Sequence, residues 1–261
     1  MAEYPADRDG DAAGFLMYGG HRLWVSPEDR IISYWPDNSP PEVSEVEGGA
    51  VFGRGESSHL LEKEMVVRTT PDGRGIHVKH SIKNTSSAET FQVSAWGLTV
   101  LRPGGEAVIP QPPFESHETN LWPAMKLVLW AYTDLSDPRY TWGKGVIRLR
   151  QDPTKGPTKI GAGVVQGIAV YSLGGDTFVK RFGYSESWDY PDGGCNFETF
   201  TREDMIELES LGPLVNIAPN QRTTNSETWY VLRAEVCPSD DISAAQWLSE
   251  LAIRCPHIDD F

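Results

Sequence analysis

In the segment Ile206-Glu207-Leu208-Glu209, two glutamates alternate with apolar residues, so both carboxylates belong on one face of a β-strand. A carboxyl group on such a face can exchange protons with a ligand if it points into a polar cleft. On a wet face it is only a surface charge, and both readings stay open. Glu198 follows the turn Gly193-Gly194, near Tyr190 and Asp192, and glycines there would let the backbone approach a ligand closely. The plainer reading is a decorated turn. Arg22, Arg139, Lys159 and Lys180 are cations in an acidic chain; each can meet a sugar carboxylate or phosphate, or pair with one of the many acids. Nine tryptophans include Trp24, Trp35, Trp96, Trp122, Trp130 and Trp142. Flat rings pack well on the C–H faces of sugars and lose little entropy in doing so. Core filling is the plainer reading and would account for more than half of the set.

Other chemistries leave no mark. There is no HExxH, no EF-hand spacing and no CxxC, so no metal site is expected from sequence. No phosphate loop and no Gly-x-Ser-x-Gly elbow occurs, and no cofactor is expected. Cys195 has no basic neighbour in sequence to stabilise a thiolate, which argues against nucleophilic catalysis. Cys195, Cys237 and Cys255 are odd in number and lack the spacing of a disulfide framework.

The elements that must position these residues are short and β-like. Runs at Phe15–Tyr18, His21–Ser26, Ile31–Tyr34 and His59–Thr70 are separated by Gly, Pro, Asn and Asp. Ile76, Val78, His80 and Ile82 alternate with His77, Lys79, Ser81 and Lys83, which predicts a half-buried strand with His77 on the wet face. Glu89–Leu101 is apolar on both faces, as a strand between layers should be. Lys126–Tyr132, Gly145–Gln151, Gly167–Leu173, Thr177–Phe182 and Ser226–Val236 continue the series. The tight reversals use Pro71-Asp72-Gly73, Asn84-Thr85-Ser86, Pro103-Gly104-Gly105 and Gly174-Gly175-Asp176. One helix is expected over about residues 240–254, capped by Asp240 or Asp241, with Ile242, Ala245, Leu248 and Leu251 on its stripe. Pro40–Gly55 and Gln151–Gly163 read as long loops. The fold class is mostly β: a large antiparallel sandwich with one C-terminal helix, residues 14–261 forming one domain behind a frayed tail, Met1 to Ala13.

Asp and Glu number 37 against 23 Lys and Arg, giving a formal charge of −14. Such a surface repels phosphate backbones and anionic lipid, so neither nucleic acid nor membrane is an expected partner. No charged start leads into an apolar stretch before Gly14, and the cytoplasm is the expected location.

The segment HSIKNTSSAETFQVSAWGLTVL (His80–Leu101) resembles the central hairpin of the galactose-mutarotase-like (aldose 1-epimerase-like) superfamily. MIELESLGPLVNIAPNQRTTNSETWYVL (Met205–Leu232) is similar to that superfamily's closing pattern. With GGHRLWVSPE, YWPDNSP, PQPP and DYPDGGCNFETFT, the chain looks like a bacterial subfamily of it, over residues 14–236. The resemblance implies a sugar site in which a glutamate takes the anomeric proton and a histidine protonates the ring oxygen. Glu209 matches the base. Trp96 stands where the histidine is expected, and an indole stacks on a sugar but cannot supply that proton. His117, in Glu115-Ser116-His117-Glu118, could replace that acid from another position; the plainer reading is an exposed loop histidine with no role.

The expected function is therefore a carbohydrate-binding, mutarotase-like protein, possessing epimerase activity if Glu209 and a second acid face each other. Its cleft would be lined by Arg22, Trp24, Trp96, Trp130, Lys159, Tyr190, Asp192 and Glu198, and its partner would be a small sugar or sugar acid. A non-catalytic binding module, or an interaction protein using a sheet face, are the alternatives.

Overall fold

A computed structural model describes residues 19–35, 40–53 and 60–259. The expected strand Phe15–Tyr18, the tail Met1 to Ala13 and residues 36–39 within YWPDNSP lie outside the described residues. Strands are numbered in chain order. The first sheet runs β1 (Gly20–Ser26), β6 (Phe91–Leu101), β15 (Met205–Leu211), β14 (Phe197–Arg202), β11 (Thr158–Ala162), β8 (Leu127–Leu129), with β16 (Val215–Ile217) paired to the start of β6. The second runs β2 (Glu42–Val46), β3 (Gly49–Gly53), β4 (Leu61–Thr69), β5 (Ile76–Asn84), β17 (Arg222–Leu232), β13 (Asp176–Phe182), β12 (Ile168–Leu173), β7 (Glu106–Pro110), β10 (Val146–Arg150), β9 (Tyr140–Trp142). Their pairings are antiparallel. Helix α1 (Asp241–Arg254) closes the chain, and no helix among the described residues is long and apolar enough to cross a membrane.

The sheets stack face to face. Ile160, Ala162, Phe197, Ile206 and Leu208 of the first pack on Ala107, Ile109, Ile147, Leu149 and Ala169 of the second. Because β6 and β15 are central, they are buried on both faces, as the two-sided apolar run of β6 predicts. Helix α1 lies on the outer face of the second sheet, where Ala244, Trp247, Leu248 and Leu251 meet Val108, Ile168, Val170 and Val179. Asp240 caps it through Ser243 N at 2.8 Å. The carboxylate of Asp241 accepts backbone N–H bonds from Lys144, Gly145 and Val146 at 2.8–3.1 Å, which ties the helix start to the sheet.

Several expectations are corrected. Ile31–Tyr34 is a turn, because the Asp29 carboxylate accepts from Ile31 N and Ile32 N and outcompetes strand pairing. The first long loop is largely the β2–β3 hairpin, reversed at Gly48 with φ 72°. The second holds β11. Ile242 is exposed, since the helix turns Trp247 inward, its indole N–H reaching Glu235 at 2.8 Å. His77 is buried: its cross-strand partner Thr228 is covered by the chain after the helix, with Ile258 N donating to Thr228 Oγ1.

A polar knot lies between the sheets. Lys180 Nζ on β13 is 2.9 Å from Glu227 on β17 and donates across to Gly97 O, Thr99 Oγ1 and Leu208 O of the first sheet at 2.8–3.0 Å. Gly97 admits this approach, because a Cβ there would sit 2.4 Å from Glu227 Oε1. Lys180→Met leaves the buried Glu227 carboxylate without its cation. Urea unfolding is expected to show a loss of about 3–5 kcal/mol.

Candidate functional site

The outer face of the first sheet, turned away from the second, carries the charged residues. Glu198 on β14 and Glu209 on β15 are directly opposed in the register, an arrangement that like charges oppose. Lys159 on the neighbouring strand resolves it. Its Nζ lies 2.7 Å from Glu198 Oε2 and 2.9 Å from Glu209 Oε2. Trp96 Nε1 donates to the same Glu209 oxygen at 3.0 Å. The ammonium also sits over two indole faces, 4.7 Å from the Trp96 ring and 4.9 Å from that of Trp130.

Local sequence explains the placing of these covers. Gly161 leaves room for Trp130 and Cys195: a Cβ there would meet Cys195 Sγ at 2.5 Å and the Trp130 ring at 3.2 Å. The turn that holds Trp130 and Tyr132 is fastened by Thr133, whose hydroxyl accepts from Trp130 N and donates to the Lys159 carbonyl. On the other side, the Asp29 turn presents Tyr34, which packs edge-on against Trp24 at 4.8 Å, and Trp24 against Trp96 at 5.2 Å.

Together these groups enclose a cavity of about 120 Å³ lined by Trp24, Glu28, Tyr34, Trp96, Leu98, Tyr132, Lys159, Phe200, Arg202, Met205 and Glu207. It is smaller than the several hundred Å³ typical of small-molecule pockets. Tyr34 donates to Glu28 Oε1 at 2.5 Å on its wall, and Tyr132 is a half-exposed rim residue. Glu198 and Glu209 are not part of the lining; they lie behind Lys159.

Burial and proximity set the protonation states. Burial pushes Glu207 up to about 8, helped by the charge of Glu209. Burial also raises Glu198 well above the carboxylate range, against the pull of Lys159. For Lys159 burial favours the neutral amine, but the charge of Glu209 beside it outweighs this and holds the ammonium charged. The floor of the cavity is thus one fixed cation with a neutral carboxyl beside it. Glu198 Oε1 and Glu209 Oε1 have no hydrogen-bond partner among the described residues.

Of the residues singled out from sequence, Lys159, Glu198, Glu209, Trp96, Trp24 and Trp130 converge. Arg22 shares the face of Trp24 two residues earlier, outside the cavity lining. Asp192 accepts from Ser26 at 3.3 Å and raises Glu198 by its charge, while Tyr190 supports the adjoining loop by accepting from Ser185 N. His117 is exposed on the turn begun by Ser116 and is not part of this cluster. Arg139 pairs with Asp137 at 2.8 Å, and burial pushes the Cys195 thiol up. Sequence reading weighed Glu207 only as the neighbour of Glu209; its alternation with Glu209 was the available signal. Glu28, Tyr34 and Tyr132 were missed, since turn residues far apart in sequence carry no pattern that joins them.

No protein-family model matches the chain, and no curated protein matches it. Among solved structures, it is similar to a candidate aldose 1-epimerase from Klebsiella pneumoniae, at 10% identity over 94% of this chain and 70% of that one, with a TM-score of 0.52. A candidate aldose 1-epimerase from Escherichia coli matches at 12% identity over 74% and 68%, TM-score 0.48. A galactose mutarotase-like protein from Lactobacillus casei matches at 10% over 73% and 72%, TM-score 0.44. The first of these likenesses shows that the fold is the mutarotase-like sandwich.

Glu207 holds its proton more tightly folded than unfolded. Its contribution to stability is therefore full below the unfolded value near 4.5 and is lost as pH rises toward about 8. The slope is up to about 1.4 kcal/mol per pH unit. Glu207→Gln is expected to flatten this part of the stability profile, read from urea midpoints across that range.

Proposed function

We propose that this chain binds a carbohydrate in the cavity on the outer face of the first sheet and exchanges a proton with it through Glu207. The observation that carries the reading is an aromatic-walled hollow with a lysine and a buried carboxyl at its floor. Trp24, Trp96, Tyr34 and Tyr132 offer ring faces and edges for C–H packing, and Lys159 and Glu207 offer donors to hydroxyl or ring oxygens. Likeness of fold to a candidate aldose 1-epimerase supports the substrate class by analogy.

The reaction that suits the site is 1-epimerisation. A base takes the anomeric hydroxyl proton while an acid protonates the ring oxygen; the ring opens, the C1–C2 bond turns, and the ring recloses on the other face. Glu207, neutral near pH 7, is the acid in this reading, in place of His117. Glu209 is the base that the resemblance implies. It serves only when Lys159 withdraws from it, and Glu198, 2.7 Å from the same ammonium, gives Lys159 somewhere to stay.

A second reading has its own support. Glu209 Oε2 is held by both Lys159 and Trp96, and a carboxylate so held is a poor base. On this reading the protein binds sugar without turning it over.

Calorimetry against a panel of monosaccharides and sugar acids, with NMR exchange spectroscopy of their anomers, separates these outcomes. Catalysed exchange that falls by about 10² to 10⁴ in Glu207→Gln supports the acid assignment. Unchanged exchange in that variant removes it, and binding without exchange in the wild type selects the binding module. If no member of the panel binds, the carbohydrate reading is lost.

A further inference from the structure

On the opposite side of β6 and β15 from the cavity, between the two sheets, lies a second group of chemically capable side chains. His21 comes from β1, His80 from β5 and Glu227 from β17, so no sequence spacing joins them. One ligand atom from each lies within 4.8 Å of the other two. We propose that His21, His80 and Glu227 form a binding site for one divalent transition-metal ion of the zinc class, clamping the two sheets beneath the cavity.

The two imidazoles turn their Nε2 atoms toward each other at 2.6 Å. Each has its remaining nitrogen fixed from behind: His80 Nδ1 on the Asn225 carbonyl and His21 Nδ1 on Thr99 Oγ1, both at 3.0 Å. His80 donates its Nδ1–H to the carbonyl and so presents a lone pair at Nε2, while His21 Nε2–H is the donor between the rings; an ion takes that proton's place as the N–H of His21 shifts to Nδ1, facing Thr99 Oγ1, and second partners of this kind orient the histidines of metal sites. Two histidines and a carboxylate are a donor set that zinc takes, with a fourth position left for water.

Lys180 is the group the ion must contend with, since it touches Glu227 at 2.9 Å. Its three N–H bonds, however, already have acceptors in Gly97 O, Thr99 Oγ1 and Leu208 O. Turning Glu227 toward an ion therefore strands none of them. A carboxylate offers about four lone-pair positions; Ser210 and Trp229 take two and the lysine contact a third, leaving one. Binding also requires the two Nε2 atoms to part to about 3.3 Å, the span of two ligands on a tetrahedral ion with bonds near 2.0 Å. His21 is the less buried of the two rings, so the adjustment falls to it. The ammonium's charge weakens the site, so micromolar affinity is expected rather than the tighter binding of closed structural sites.

The ion would lie across the strands from the outer cluster: Gly97 follows Trp96, and Ser210 follows Glu209. The site stands independently of the carbohydrate reading. The test uses the full chain, stripped with chelator and titrated with zinc by calorimetry and with cobalt by visible absorption. One equivalent should bind, with the absorption of four-coordinate cobalt and a raised melting temperature. His21→Gln, at the half-buried position, should weaken binding by at least about 100-fold. Histidine NMR of the wild type should show zinc shifting the rings of His21 and His80. Failure of the wild type to bind, equal binding by a folded His21→Gln, or shifts confined to other histidines would each overturn the site.

Discussion

A single ammonium group holds the outer face of the first sheet together. Strand register forces Glu198 and Glu209 to face one another on a surface that aromatic side chains cover, and neither position admits water freely. Two ionised carboxylates in that setting would repel strongly; a proton on Glu198 and the cation of Lys159 make the pairing tenable. Everything over the cavity is arranged on that lysine. Trp96 and Trp130 lie against it, Thr133 is tied to its carbonyl, and Glu207 keeps its proton partly because Glu209 is charged behind it.

The same sheet is polar on its inner side as well. Lys180 and Glu227 reach across from the second sheet beside Gly97, so the central strands of the first meet ionic groups on both faces. Such groups are expensive in a core and add little net stability compared with apolar packing. What they add is a fixed geometry. Lys180 binds the carbonyls of Gly97 and Leu208, each next in sequence to a residue of the outer cluster. The inner knot thereby touches the backbone beside Trp96 and Glu209. The two faces are thus joined through β6 and β15.

The β-rich architecture and most strands were legible in the sequence, because alternation and turn residues are local signals. β6 read as two-sided and proved central; Asp240 read as a cap and is one. Where the reading failed, tertiary contacts or local side-chain bonds had overridden propensity. Ile31–Tyr34 has strand-like residues, yet one Asp29 carboxylate folds it into a turn. His77 occupies the solvent phase of its strand's alternation, yet the chain beyond α1 buries it.

For the site, the sequence by itself determined the residue types and the phase of each strand. It put Glu207 with Glu209, and Trp24 with Arg22, on common faces, since side-chain direction alternates with a period of two. Which faces meet, and how deeply, was decided only by tertiary structure. Sheet order brings Lys159 to two carboxylates some 40 and 50 positions away, and burial raises Glu198 above the carboxylate range. Sequence distance carries no information about either, because pairing between strands and exclusion of water are properties of the assembled sheets.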